Sequence, residues 1–205
     1  MKRIFITGIS TDVGKTIASA IIAEALEADY WKPIQAGDLN HSDSHKIAQL
    51  ISNKRTIIHK NSYALKTPMS PHAAADIEGI TIELDQIKEP QTKNHLVIEG
   101  AGGLLVPINY DKTIQDLIKP HYKVVVVSRH YLGSINHSLL TIGWLKEKGF
   151  NVSVLFSGKE HVSTEQIILS KTGIQCIGRI SEEKEFNPEI IKKYANLFKH
   201  QLMAL

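Results

Sequence analysis

Residues 2–26 read Lys-Arg-Ile-Phe-Ile-Thr-Gly-Ile-Ser-Thr-Asp-Val-Gly-Lys-Thr-Ile-Ala-Ser-Ala-Ile-Ile-Ala-Glu-Ala-Leu. Lys2–Thr7 is a β-branched and aromatic run that stops at Gly8, which predicts a short buried strand. From Ile17 to Leu26 the apolar residues recur on a helical period, which predicts a helix ending near Ala28. Between the two lies Gly8-Ile-Ser-Thr-Asp-Val-Gly14-Lys15-Thr16. Its glycines let backbone N–H groups turn inward around phosphate oxygens, Lys15 can reach the β- and γ-phosphates, and the Thr16 hydroxyl suits Mg²⁺. The helix that follows adds the partial positive charge of its N-terminus at the same point. Five residues separate Gly8 from Gly14, one more than in the commoner form of such loops. Strand, loop and helix in this order predict that the chain binds a nucleoside triphosphate.

Outward from this stretch the alternation continues. Tyr30–Ile34, His95–Ile98, Lys123–Ser128, Val152–Phe156 and Ile174–Ile177 read as strands, and Ser134–Lys148, Ser163–Ser170 and Pro188–Leu202 as helices. Val124–Val127 is all valine, as a strand buried on both faces requires. Gly149 is a natural stop for the first of those helices, and Pro188 a natural start for the last. The pattern predicts an α/β fold: a three-layer sandwich with a mostly parallel central sheet, of the P-loop NTPase type. Residues 40–93, richer in Ser, His, Thr and Pro, read as an irregular elaboration of a single domain spanning 1–205.

Composition narrows the class. With 42% apolar and 22% charged residues the chain is globular rather than disordered or fibrous. No apolar stretch approaches the ~20 residues of a membrane span, and the opening is too short in apolar residues for a signal peptide. Cys176 is the one cysteine, which excludes a disulfide framework. A net charge of +3 without long basic runs argues against nucleic acid as a partner. The expectation is a soluble cytoplasmic enzyme.

Phosphoryl transfer needs carboxylates near the phosphate-binding loop. Glu99 closes the run His-Leu-Val-Ile and precedes Gly-Ala-Gly-Gly, a place where open α/β sheets put their ligands. Asp43, in His-Ser-Asp-Ser-His, has two open readings, metal ligand or helix N-cap. His41 and His45 could share a helix face as metal ligands, but no third ligand accompanies them. Lys32 stands near a strand end, where a buried lysine requires an anionic partner. Met69-Ser70-Pro71-His72 and Leu132-Gly133-Ser134-Ile135-Asn136-His137 are further polar clusters, and Cys176 reads as a core residue.

Together these motifs resemble the dethiobiotin synthetase family: the long loop Gly-x5-Gly-Lys-Thr, Lys-Pro-Ile-Gln-x-Gly, Ser-Asp before a helix, Ser-Pro-His, Val-Ile-Glu-Gly-Ala-Gly-Gly and Leu-Gly-x-Ile-Asn-His. The match covers most of the chain. The resemblance implies a ligase that joins 7,8-diaminononanoate and CO₂ (or bicarbonate) with ATP and Mg²⁺, through a carbamate and a carbamic-phosphoric anhydride. It implies Lys15 and Lys32 as catalytic lysines, and Asp12, Val13, Gly14, Lys15, Thr16 and Ile17 around the triphosphate. Thr16, Asp43 and Glu99 would hold Mg²⁺. The Glu99–Gly102 turn, with Gly100, Ala101 and Gly102, and Thr11 would face the reacting groups, and Ser70 the substrate. Leu132, Gly133 and Asn136 would reach a homodimer partner's site at the substrate's carboxylate tail.

Three positions depart from the family pattern. Ala36 stands where many members carry a hydroxyl, Ser157 where an Asn often reads adenine, and Gly-Arg-Ile-Ser at 178–181 replaces Gly-Glu-Ile-Pro. The last two leave nucleotide preference open. One alternative is a partitioning-type switch ATPase acting through a protein partner; Ile9-Ser10-Thr11 lacks the early loop lysine those proteins carry. A corrinoid-acting amide ligase is a second alternative, but that usually carries a glutaminase domain for which 205 residues leave no room.

Overall fold

The computed structural model describes all 205 residues. At its centre is β1 (Arg3–Gly8), five of whose six residues are buried. It pairs in parallel with β6 (Leu96–Gly103) on one side and β7 (Lys123–Arg129) on the other. Outside β6 lie β2 (Asp29–Trp31) and β4 (Ile58–His59); outside β7 lie β8 (Asn151–Ser157) and β9 (Gln175–Ile180). The order is therefore β4-β2-β6-β1-β7-β8-β9, with every pairing parallel.

The chain leaves β1 toward one edge of this sheet and later leaves β7 toward the other. Right-handed crossovers then put the two sets of helices on opposite faces. α1 (Lys15–Leu26), α2 (Asp43–Leu50) and α6 (Pro188–Ala204) pack together, and α4 (Ser134–Glu147) packs with α5 (Val162–Thr172) over β7 and β8. α1 is buried almost all round, and its alanines at 18, 20, 23 and 25 let sheet and helices approach it closely. One cluster of 48 buried residues runs from Ile4 to Leu202 and ties these layers together. No helix is long and apolar enough to cross a membrane.

Three expected strands come out differently. The run Tyr30–Ile34 divides at Lys32-Pro33: β2 stays in the main sheet, while β3 (Ile34–Ala36) pairs with β5 (Tyr63–Leu65) in a small second sheet. Proline has no N–H for the ladder, so the main-sheet pairing ends there, and the Pro33 carbonyl accepts from Ser62 and Tyr63 instead. The run ending at Ile98 continues through Glu99 to Gly103, because Ile6 pairs with Glu99 and Gly8 with Gly103. β9 likewise extends to Ile180, past the expected end at Ile177. Residues 40–93 are more ordered than their composition suggests, holding α2, β4, β5 and α3 (Pro71–Glu78), which leans on the small sheet.

Candidate active site

The loop from Gly8 to Thr16 leaves the central strand and returns on itself. A Cβ at Gly8 would fall 2.6 Å from Val13 Cγ2 and 2.7 Å from the Ser10 carbonyl, so no side chain fits there. Gly14, at φ 93°, occupies the left-handed region and hands the chain into α1 without a side-chain cap. The first-turn N–H groups of α1 are thus left for an anion. Lys15 Nζ donates to the Ser10 carbonyl at 3.1 Å, folding the lysine back along the loop. From the end of β8, the Ser157 hydroxyl donates to the Val13 carbonyl at 2.6 Å and pins the loop from the other side.

Against this loop the fold gathers two carboxylates and a second lysine. Glu99, 1% exposed, turns Oε1 toward Thr16 Oγ1 at 2.9 Å and Lys32 Nζ at 3.4 Å. Its other oxygen, Oε2, accepts from the Tyr30 hydroxyl at 2.9 Å. Asp43 Oδ1 lies 2.9 Å from the same Thr16 hydroxyl, and Asp43 Oδ2 is ion-paired with Lys32. The buried lysine therefore has the anionic partners its burial demands. Burial works against its charge, but Glu99 and Asp43 outweigh that and raise its pKa. Asp43 moves the other way: burial is overcome by Lys32 and the Thr16 hydroxyl, and its pKa falls. For Lys15, burial dominates and lowers the pKa, with Lys32 adding to it against the pull of Glu99, Asp43 and Asp12. Burial, then the Glu99 charge, pushes the Tyr30 phenol far above its usual range.

Of the two readings of Asp43, the N-cap does not hold. Asp43 is the first residue of α2; the N-cap is Ser42, which forms a capping box with His45. His45 is occupied by that cap, its Nδ1 2.9 Å from Ser42 Oγ, and no three His, Cys, Asp or Glu side chains cluster to hold a metal. Glu99 lies inside β6 rather than at its end, four residues before Gly103. Cys176 is half-buried on β9 and packs against the core.

An open cleft of about 1200 Å³ runs past these groups. It is lined by Thr11, Asp12 and Gly14–Ile17 along the loop, by Lys32, Asp43, Glu99, Ala101 and Gly102 beside it, and by Ala36 and Ser70 toward one end. Ser157, Ser181 and Arg129 line the other end. Five expected site residues do not line it. Val13 is buried under the loop, and Gly100 faces Phe5 and Ile114, where a Cβ would come within 3.2 Å of them. Leu132, Gly133 and Asn136 sit where the chain enters α4, outside the cleft. Tyr30, Gln35, Lys46 and Arg129 are among the additions that sequence reasoning missed, the last three on the cleft wall and Tyr30 behind Glu99.

Over residues 2–190 the chain matches the family profile described as AAA domain. The ATP-dependent dethiobiotin synthetase BioD of Christiangramia forsetii is 55% identical over 205 residues, 100% of this chain and 99% of that protein. The chain belongs to the dethiobiotin synthetase family. A second member, from Cytophaga hutchinsonii, is 48% identical over 198 residues, 95% of this chain and 96% of that protein. Among solved structures, a plasmid partition protein from Borrelia burgdorferi superposes with a TM-score of 0.62 at 14% identity, over 100% of this chain and 99% of that one. A MinC:MinD cell division protein complex from Aquifex aeolicus gives 0.56 at 16% identity, over 100% and 97%. Likeness at this identity shows the fold alone, the expected α/β sandwich of P-loop NTPases.

Proposed function

We propose that the cleft carries out the family's reaction: carboxylation of 7,8-diaminononanoate by CO₂ and closure of the urea ring of dethiobiotin, with ATP converted to ADP and phosphate. The observation that carries this reading is that Asp43 and Glu99 meet at one Thr16 hydroxyl and both pair with the buried Lys32, beside a phosphate-binding loop that carries Lys15. A simple nucleotide-binding module needs the loop and its lysine. It does not need a second lysine buried between two carboxylates.

The chemistry follows from charge. One amine of the diamine adds CO₂ and loses a proton, leaving a carbamate anion. That carbamate must approach the γ-phosphate, and two anions repel. Lys15 along the loop and Lys32 between the two carboxylates, both largely buried in the cleft wall, supply positive charge where water screens little. The carbamate oxygen then displaces ADP, and the second amine attacks the activated carbonyl carbon and expels phosphate. Ring closure within one bound molecule gains from proximity.

Mg²⁺ fits the oxygens present. Thr16 has one proton, yet its hydroxyl oxygen lies 2.9 Å from a carboxylate oxygen of Asp43 and from one of Glu99. Two anionic oxygens and a hydroxyl converging on one spot are the hard donor set that Mg²⁺ prefers. Thr16, Asp43 and Glu99 would hold it, and when bound it would neutralise charge on the phosphate oxygens. In the same reading Leu132, Gly133 and Asn136 serve the cleft of a second copy of the chain.

The test is phosphate release from ATP with Mg²⁺ and bicarbonate, with and without 7,8-diaminononanoate, the product checked by mass spectrometry. Diamine-dependent phosphate with matching dethiobiotin is expected. ATP hydrolysis indifferent to the diamine would overturn the reading in favour of a switch ATPase.

A further inference from the structure

The two oxygens of Glu99 are held differently. Oε1 faces the cleft, 2.9 Å from Thr16 Oγ1 and 3.4 Å from Lys32 Nζ, while Oε2 turns back and accepts from the Tyr30 hydroxyl at 2.9 Å. Tyr30 is wholly buried and Glu99 nearly so. Strand register explains how they meet. Tyr30 pairs with Val97 across the parallel β2–β6 ladder, and paired residues share a face. Glu99, two residues beyond Val97, shares that face too, so the tyrosine ring spans the ~7 Å of two strand residues and delivers its hydroxyl to the carboxylate.

The last torsion of a glutamate is broad and has no staggered wells to fix it. A donor behind the carboxylate supplies what the torsion lacks. We propose that Tyr30 is a positioning residue of this site: its hydroxyl holds the Glu99 carboxylate in the plane that keeps Oε1 turned to Thr16 and the metal position. The proposal rests on the reading of Glu99 as a Mg²⁺ ligand. Donors that orient ligating carboxylates in this way are commonly worth ~10–100-fold in metal affinity. Tyr30 touches neither nucleotide nor diamine position, so its effect passes through Glu99.

The experiment is a calorimetric titration of Mg²⁺, with Mn²⁺ followed by electron spin resonance as a parallel, into the ADP-bound protein without diamine. Tyr30→Phe keeps the ring and removes the hydroxyl. Its metal dissociation constant is expected to rise about tenfold, with ADP binding in the absence of metal unchanged. In turnover, the Mg²⁺ concentration at half-maximal rate should shift by the same factor, while the rate at saturating Mg²⁺ recovers. A metal titration that superposes on the wild type's, whatever happens to thermal stability, overturns the proposal.

A second pair of proteins decides the matter even if Tyr30→Phe does not fold. Glu99→Gln removes the buried anion, and adding Tyr30→Phe to it leaves no charge without a donor. If Tyr30 acts through Glu99, the two proteins bind Mg²⁺ alike; a further weakening beyond about threefold means it does not. Glu99→Gln with unchanged metal binding would refute the metal reading itself. Weakened Glu99→Gln beside unaltered Tyr30→Phe would refute the positioning role alone. None of these titrations uses the diamine, so a failure of the dethiobiotin assay leaves them standing.

Discussion

Lys32 carries a positive charge into a site where 6% of the residue is exposed, and it can do so because Asp43 and Glu99 face it. Lys32→Gln removes the one cation that pairs with both anions, leaving Asp43 its 3.7 Å pair with the half-exposed Lys46 and Glu99 its Tyr30 donor. Turnover with the diamine is expected to fall about 10²-fold or more. The ligand-free protein should also melt at a lower temperature, with Mg²⁺ restoring part of the loss because a cation again sits between the carboxylates. Steady-state kinetics and melts with and without Mg²⁺ check both effects, and wild-type turnover would remove Lys32 from the mechanism. Glu89 shows a different use of charge, away from the cleft. Burial disfavours its ionisation, but the Tyr122 hydroxyl, the Arg3 guanidinium and the Lys119 ammonium outweigh that and hold the carboxyl at about 2, against an ordinary 4.5. The folded state therefore resists taking up this proton. Its contribution to stability is complete above 4.5 and disappears as pH falls toward 2. Glu89→Gln should be less stable than wild type in urea near neutral pH, with the gap narrowing through that acid window. A gap independent of pH would show that the carboxylate charge is not what stabilises.

At the scale of elements, the loop from Gly8 to Thr16 was legible because everything that shapes it lies within that one stretch: a clash at Gly8, a left-handed Gly14, a lysine and a hydroxyl. Its clamp was not. The Ser157 hydroxyl reaches Val13 from 144 positions away and commits its only proton there. Ser157→Ala should therefore weaken nucleotide binding by about fivefold, the worth of one hydrogen bond. The loss should be equal for ATP, GTP and CTP, as competition binding would measure; a loss confined to ATP would mean that the hydroxyl reads the base. The other differences have the same origin. Proline at position 33 ended the main-sheet pairing of the Tyr30–Ile34 run, and the glycines after Glu99 continued as strand because β1 offered them partners. Tyr30 looked like any core aromatic, since its contact with Glu99 spans 69 positions. Local chemistry could be read from the chain, but pairing across the sheet could not.

For the whole molecule the open quantity is the number of chains in a working site. Leu132 is fully exposed, and Asn136, Leu140 and Trp144 follow at four-residue intervals along α4, with Leu140 63% and Trp144 37% exposed. This row stands outside the cleft of its own chain. If Asn136 serves catalysis, it serves the cleft of another copy, and a two-fold dimer supplies that contact twice. Light scattering should then give a particle of twice 22.8 kDa. Complementation is the sharper measurement. Lys32→Gln spoils the cleft and Asn136→Leu spoils the reaching segment, so each variant alone should be nearly inactive. In a mixed dimer one site takes its cleft from the Asn136→Leu chain and its segment from the Lys32→Gln chain, and that site is intact. Equal amounts allowed to exchange subunits should recover about a quarter of wild-type turnover, since half the dimers are mixed and each has one good site of two. No recovery, with subunit exchange demonstrated, would put each site within a single chain. A fully active monomer would do the same.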